Sequence, residues 1–260
     1  TYFGQQGRRE AQKLLERNAQ DGDRLLGAFN RPMPHWLDFF CYTMFVDRDG
    51  KFQLGMLSTS AFKPLAASMG PMLKEESFHL GTGSNGLRRV IKAGIIPLDM
   101  LQRFFNKWVS TAHDLFGVDA SSSAHWSYVW GVKGRWDERK KLEAGLEVDK
   151  EVLNEEARGH YHDEIVREVE KLNGYLPEGS PRLFVPHENF HRDIGAFKRQ
   201  KFTTEGTLFE GSDEEWEAYI HAALPSAQDE ADLKELFKQE WVANKPMSAR
   251  QIASGIGAKV

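Results

Sequence analysis

Glu76-Ser77-Phe78-His79 sets a carboxylate and an imidazole three residues apart. On a helix, residues at i and i+3 leave the same face, so the two side chains can share a metal ion. Carboxylate and imidazole donors suit iron or manganese better than a sulfur-seeking metal. In helical bundles, two Glu-x-x-His pairs plus one carboxylate from each of two other helices build a two-metal centre. A lone pair of this kind is common on solvated helix surfaces, so its weight depends on what faces it.

A partner acid is found by position. If 35–62 and 65–80 are antiparallel helices, a ligand facing Glu76 lies as far before the turn as Glu76 lies after it. Asp47 meets this condition: the midpoint falls between Ala61 and Phe62, beside Lys63-Pro64, and the residue before a proline resists helix. Asp49 fits nearly as well, and periodicity does not separate the two. A competing local signal is present. Thr43-Met44-Phe45-Val46, then Asp47-Arg48-Asp49-Gly50, then Lys51-Phe52-Gln53-Leu54 reads as a β-hairpin with an Asp-Gly turn. The midpoint condition requires a helix instead, predicted over 38–60.

Three other motifs carry less. His187-Glu188-Asn189-Phe190-His191 matches the zinc-protease pattern, with Glu210, Glu214 or Glu215 as third-ligand candidates. Pro186 before it and Gly195 after it confine the segment, and structural histidines are the plainer reading. Glu188 and His191 also form a Glu-x-x-His pair, poorly placed for a mid-bundle site. Gly81-Thr82-Gly83-Ser84-Asn85-Gly86 fits Gly-x-Gly-x-x-Gly but follows no buried strand, so it is predicted to be a loop. Asp47-Arg48-Asp49-Gly50 lacks the spacing of a calcium loop. His160 and His162 are expected to be solvated. Arg88, Arg89 and Lys92 could meet phosphates, though a solvated helix face is the simpler role.

The elements that must position these residues read as mostly helical. Charged residues 8–18 carry Ala11, Leu14 and Leu15 on one face. Asn30-Arg31-Pro32-Met33-Pro34 is a turn or linker. Ile95–Phe116 has Leu98, Leu101, Phe104, Phe105 and Trp108 at helical spacing. Ser121 opens a segment bearing Trp126, Trp130 and Trp136. Val152–Leu172 is amphipathic, closed by Asn173-Gly174. Pro177–Pro186 is a loop, and 213–223 and 228–241 are short polar helices. The expected organisation is a helical portion over 1–175 and a loop-rich, strand-poor extension over 176–260, packed as one domain. The start, TYFGQQG, reads like the tail of a preceding helix, and an incomplete chain is expected.

Composition bounds the rest. Seven Trp and seventeen Phe in 260 residues support a substantial core. The formal charge of -4 argues against nucleic acid or an anionic membrane as main partner. Cys41 stands alone and cannot form an internal disulfide, so a cytoplasmic setting is expected. No apolar run approaches the ~20 residues of a membrane span.

The segments WLDFFCYTMFVDRDGKFQLGML, FKPLA, MLKEESFH, GLRRVI, HDLFG, SSSAHWSYVWGVKGR and VPHENFHRDIGAF together resemble the oxygenase components of benzoyl-CoA 2,3-epoxidase. The resemblance covers most of the chain. It implies a ferritin-like, mainly α bundle, here its C-terminal half, with an irregular final third. It also implies two iron ions, O2, an aromatic acyl-CoA substrate, and an NADPH-dependent flavin and iron–sulfur reductase as electron donor. Matched residue by residue, the family's third-helix aspartate falls on Asp47, and its fourth-helix Glu-x-x-His on Glu76 and His79. The first-helix glutamate and second-helix Glu-x-x-His have no counterpart in these residues, so half of the ligands, and no activity in isolation, are expected. Phe78 stands where the family has a further histidine. Phe40, Thr43 and Met44, one turn before Asp47, are candidates to line the substrate pocket. The rival readings are a zinc metallohydrolase built on His187, Glu188 and His191, and a non-catalytic helical acyl-CoA-binding protein.

Overall fold

The computed structural model describes residues 4–17, 27–149 and 152–237. Two compact units are distinguished, 1–224 and 225–260. Within the described residues the chain is a helical bundle with no extended ladder, its one β-bridge joining Phe202 and Leu208.

The centre of the first unit is a helical run from 36 to 57. It consists of α2 (Trp36–Cys41), a π turn (Tyr42–Val46) and α3 (Asp47–Leu57). The hairpin signal is overruled. Leu37, Cys41, Met44, Phe45, Phe52 and Met56 recur at helical spacing and are all buried, so burial decides the period against local turn chemistry. This run packs on α4 (Lys63–Ala93), α5 (Leu98–Leu115) and α8 (Asn154–Asn173).

Helix α4 departs most from expectation. Its 31 residues absorb the glycine-rich stretch 81–86, predicted as a loop, and run on to a left-handed Gly94 cap. Two of those glycines are what the packing needs. A Cβ on Gly83 would stand 2.5 Å from the Met44 backbone nitrogen, and one on Gly86 would stand 2.3 Å from the Phe40 ring. The glycines thus let two backbones approach closely. Phe40 opposite Gly86, Thr43 opposite Gly83 and Gly50 opposite Glu76 make the two helices antiparallel. The break between them falls at the predicted midpoint, since α3 ends at Leu57 and α4 starts at Lys63 with a proline in its first turn.

Helix α5 begins three residues later than predicted because Pro97 is its N-cap. Its apolar face is fully inside: Leu101, Phe104, Phe105, Trp108, Val109 and Ala112 are each at most 1% exposed. Helix α6 (Ser122–Val129) is capped by Ser121, and α7 covers Glu138–Glu143. Asp119 accepts from the first amides of α8, Asn154 N at 2.6 Å and Glu155 N at 2.9 Å. This is favourable at a helix N-terminus.

Helix α1 (Gly4–Leu15) forms, but none of its residues is buried, Leu14 and Leu15 included. Residues 174–212 are irregular apart from a 3₁₀ turn at Gly195–Arg199. Helix α9 (Asp213–Ala223) matches its predicted span and starts with a Ser212/Glu215 capping box. In the second unit, α10 covers Ala227–Phe237, and the remainder of the predicted 228–241 helix lies outside the described residues. No helix among the described residues is long and apolar enough to cross a membrane.

Candidate metal centre

Asp47, Glu76 and His79 converge. One ligand atom from each lies within 4.8 Å of the other two. His79 Nδ1 is 3.8 Å from both Asp47 Oδ2 and Glu76 Oε2, too far for hydrogen bonds. The three donors face one point without satisfying one another. Both acids are largely covered, whereas the imidazole is more than half exposed. Glu76 Oε1 is buried without any hydrogen-bond partner.

Electrostatics agree with this. Burial raises Asp47 to about 6, only partly countered by the nearby His79. Burial and then the Asp47 charge raise Glu76 to about 7. Two converging carboxylates whose ionised forms burial disfavours, with an imidazole beside them, form a centre that a bound cation would stabilise. The donor set and the orphaned Glu76 oxygen therefore fit a divalent ion such as iron.

Asp49 is separated from Asp47 by the structure. It is buried, accepts from Gln53 Nε2 at 3.1 Å, and burial pushes it to about 8. Gln53 in turn accepts from Lys133, which also reaches Asn154, each at 2.8 Å. Asp49 is thus tied into a buried polar chain rather than placed beside His79. The π turn is why periodicity cannot separate the two acids. An i→i+5 turn shifts the frame of every later residue relative to a regular α-helix.

Tyr42 carries no motif that sequence reasoning could single out. Burial first, then the charges of Asp47, Glu76 and Asp49, push its phenol to about 12, so it borders the centre as a neutral group. The pocket candidates are packed tightly. Thr43 and Met44 are buried, the Thr43 hydroxyl donating to Phe39 O at 2.9 Å, and Phe40 lies half-buried over Gly86. Phe78 is 71% exposed.

A second trio, Asp137, Glu156 and His160, also clusters. Its charges are already matched. Arg135 binds Asp137 at 2.8 Å and Glu156 at 3.1 Å, and Lys141 binds Asp137 at 2.6 Å. Although burial would raise it, the hydrogen bonds from Arg135 and Lys141 hold the Asp137 carboxyl far below the usual range. This trio is an ion-pair network. His160 is exposed as expected, and His162 is half-buried, one side of its ring packed on the fully buried His113 with their ring nitrogens 3.4 Å apart.

The zinc-protease motif is not on a helix. Residues 188–191 form a turn, His191 has φ of +47°, and Glu188 is held by Arg158 at 3.0 Å. Two histidines at i and i+4 reach one metal only from a helical face, and none of these residues joins a metal-ligating trio among the described residues.

Comparison with known proteins matches residues 2–195 to the family described as phenylacetic acid catabolic protein. The chain belongs to that family. The benzoyl-CoA oxygenase component B of Aromatoleum evansii is 36% identical over 271 aligned residues, 88% of this chain and 57% of the relative. One of the 1,2-phenylacetyl-CoA epoxidase subunits of Escherichia coli (strain K12) is 26% identical over 176 residues, 67% of this chain and 51% of the relative. The chain spans about half the length of these curated relatives. The phenylacetic acid catabolic match includes α2, the π turn, α3 and α4, so all three converging residues fall inside it.

Proposed function

We propose that Asp47, Glu76 and His79 hold iron, and that this chain carries half of the ligand set of a di-iron, O2-dependent oxygenase that epoxidises the ring of an aromatic acyl-CoA. Electrons would come from a separate reductase. The observation that carries the reading is the convergence of two high-pKa carboxylates and one imidazole around an unpartnered Glu76 oxygen, in a chain 36% identical to a benzoyl-CoA oxygenase component.

Iron bound at a carboxylate–imidazole centre would supply the redox chemistry with O2 that adding an oxygen atom across a ring double bond requires. The protein's own residues do the rest. Asp47 and Glu76 would hold the ion as carboxylates, releasing their protons and offsetting its charge. Tyr42, Thr43 and Met44 keep the inner side of the centre dry. The exposed His79 edge is the open side. We propose that half-buried Phe40 lies on the side nearest the substrate ring, with Thr43 and Met44 packed behind it.

Three donors suffice for one ion. Anaerobic reconstitution with ferrous iron should give one ion per chain in the parent and none in Glu76→Ala or His79→Ala. Two tightly held ions, or binding that survives both substitutions, would place the ligands elsewhere. Calorimetry with benzoyl-CoA against acetyl-CoA tests the substrate class, and equal affinity for the two would remove the aromatic acyl group from the reading.

A further inference from the structure

Tyr161 and Glu164 sit at i and i+3 on α8, far along the chain from the centre; Tyr161 reaches the π turn that precedes Asp47 directly, and Glu164 reaches it through Arg48. The Tyr161 hydroxyl, fully buried, donates to the Phe45 carbonyl at 3.1 Å. Glu164 accepts from Arg48 Nη1 at 2.7 Å, and Arg48 Nε donates to the Met44 carbonyl at 3.1 Å. Lys51, one turn further along α3, also pairs with Glu164. Two consecutive carbonyls of the turn are therefore tied to α8, one directly and one through the residue adjacent to Asp47.

This matters because an i→i+5 turn is rare and needs support from its surroundings. It accommodates about one residue more than a regular α-helical turn. Its relaxation would rotate all that follows by about 100°, the angle of one residue at 3.6 per turn. Asp47 would leave the face it shares with Glu76 and His79.

We propose that Tyr161 and Glu164 are positioning residues for the metal centre: by holding the Met44 and Phe45 carbonyls they lock the π turn and so aim Asp47. The metal half of this inference rests on the iron-binding reading above, and the conformational half does not. Groups that orient ligands from outside the coordination shell are commonly worth 10–100-fold in metal affinity.

The test uses the intact chain and the double variant Tyr161→Phe/Glu164→Gln, which keeps ring packing and side-chain size. Ile165→Val is the control, because Ile165 is a fully buried neighbour on α8 with no polar tie to the turn. Amide hydrogen exchange is read without metal, and anaerobic cobalt(II) titration is read by visible absorption. The expected result is exchange over residues 42–50 about tenfold faster in the double variant, with α5 unchanged and cobalt affinity reduced about tenfold or more. The control should change neither, even where its Tm falls as far. Unchanged exchange in the double variant, or equal effects in Ile165→Val, overturns the proposal. Accelerated exchange with unchanged cobalt affinity limits α8 to stabilising the turn and overturns the positioning role. If Glu76→Ala binds cobalt like the parent, the iron-binding reading fails instead, and the exchange result still decides whether α8 holds the turn.

Discussion

Gly83→Ala perturbs the contact on which the centre depends. The added methyl would lie 2.5 Å from Met44 N, 2.7 Å from Thr43 Oγ1 and 2.8 Å from Thr43 C. The hydroxyl can rotate away, but the two backbone atoms cannot. Ordinary van der Waals contact begins at 3.4 Å, so α4 must retreat from the π turn by about 0.9 Å. Overpacking of this kind costs roughly 1–3 kcal/mol, offset by the ~1 kcal/mol that alanine gains over glycine inside a helix. Gly81→Ala is the matched control, since a Cβ there meets nothing within 4 Å. It should stabilise by about 0.5–1 kcal/mol. At roughly 2–4 °C per kcal/mol for a domain of this size, Gly83→Ala should melt several degrees below the parent and Gly81→Ala slightly above it. Glu76 and His79 lie about two turns and one turn from Gly83 on the same helix. The retreat carries them away from Asp47 and should weaken ferrous or cobalt(II) binding about tenfold, while Gly81→Ala binds like the parent. Thermal unfolding followed by circular dichroism and anaerobic metal titration read both effects. A Gly83→Ala protein as stable as Gly81→Ala, with parental metal affinity, would refute the close-approach argument.

Metal affinity should climb as pH rises through about 6 to about 7, where Asp47 and Glu76 lose their protons, and a flat profile across that window would contradict the assigned ligands. Asp49 has a folded pKa of about 8 against an ordinary 3.8, so the folded chain binds the extra proton and loses stability as pH rises between those values. The melting temperature of Asp49→Asn should therefore gain on the parent over that range and stay level above it; a constant difference from about pH 4 to about pH 9 would show that Asp49 ionises normally. Asp38 is buried and accepts from Lys107 Nζ at 2.6 Å and Trp108 Nε1 at 2.8 Å. Asp38→Ala strands both donors and should cost about 3 kcal/mol or more, read as a fall in Tm, and a change within about 2 °C would assign the pair no role in stability. His187→Ala and His191→Ala should leave metal content unaltered, and loss of a stoichiometric zinc ion from either, measured by elemental analysis, would revive the hydrolase reading.

The sequence alone determined the helical class, the α3–α4 break and the two candidate acids opposite Glu76, because these depend on local signals. Apolar residues at helical spacing in α5 and Lys63-Pro64 at the hinge act through nearest neighbours in the chain. What it could not determine shares a different physical origin. The glycines at 81–86 favour a loop when read one by one, and only the π-turn backbone, 2.5 Å from where a Cβ would stand, explains why Gly83 belongs inside a helix. Asp47 and Asp49 are both plausible ligands until the π turn sets their frame. That turn is supported by Tyr161 and Glu164, whose contacts close loops of 116 residues. His162 reads as solvated on its charged helix, yet one side of its ring packs on buried His113 of α5. The Asp-Gly hairpin signal is strong locally and loses to the burial of Phe45, Phe52 and Met56 between three helices. In each case the deciding energy comes from atoms distant in the chain, which no window of sequence contains and only the packed bundle brings together.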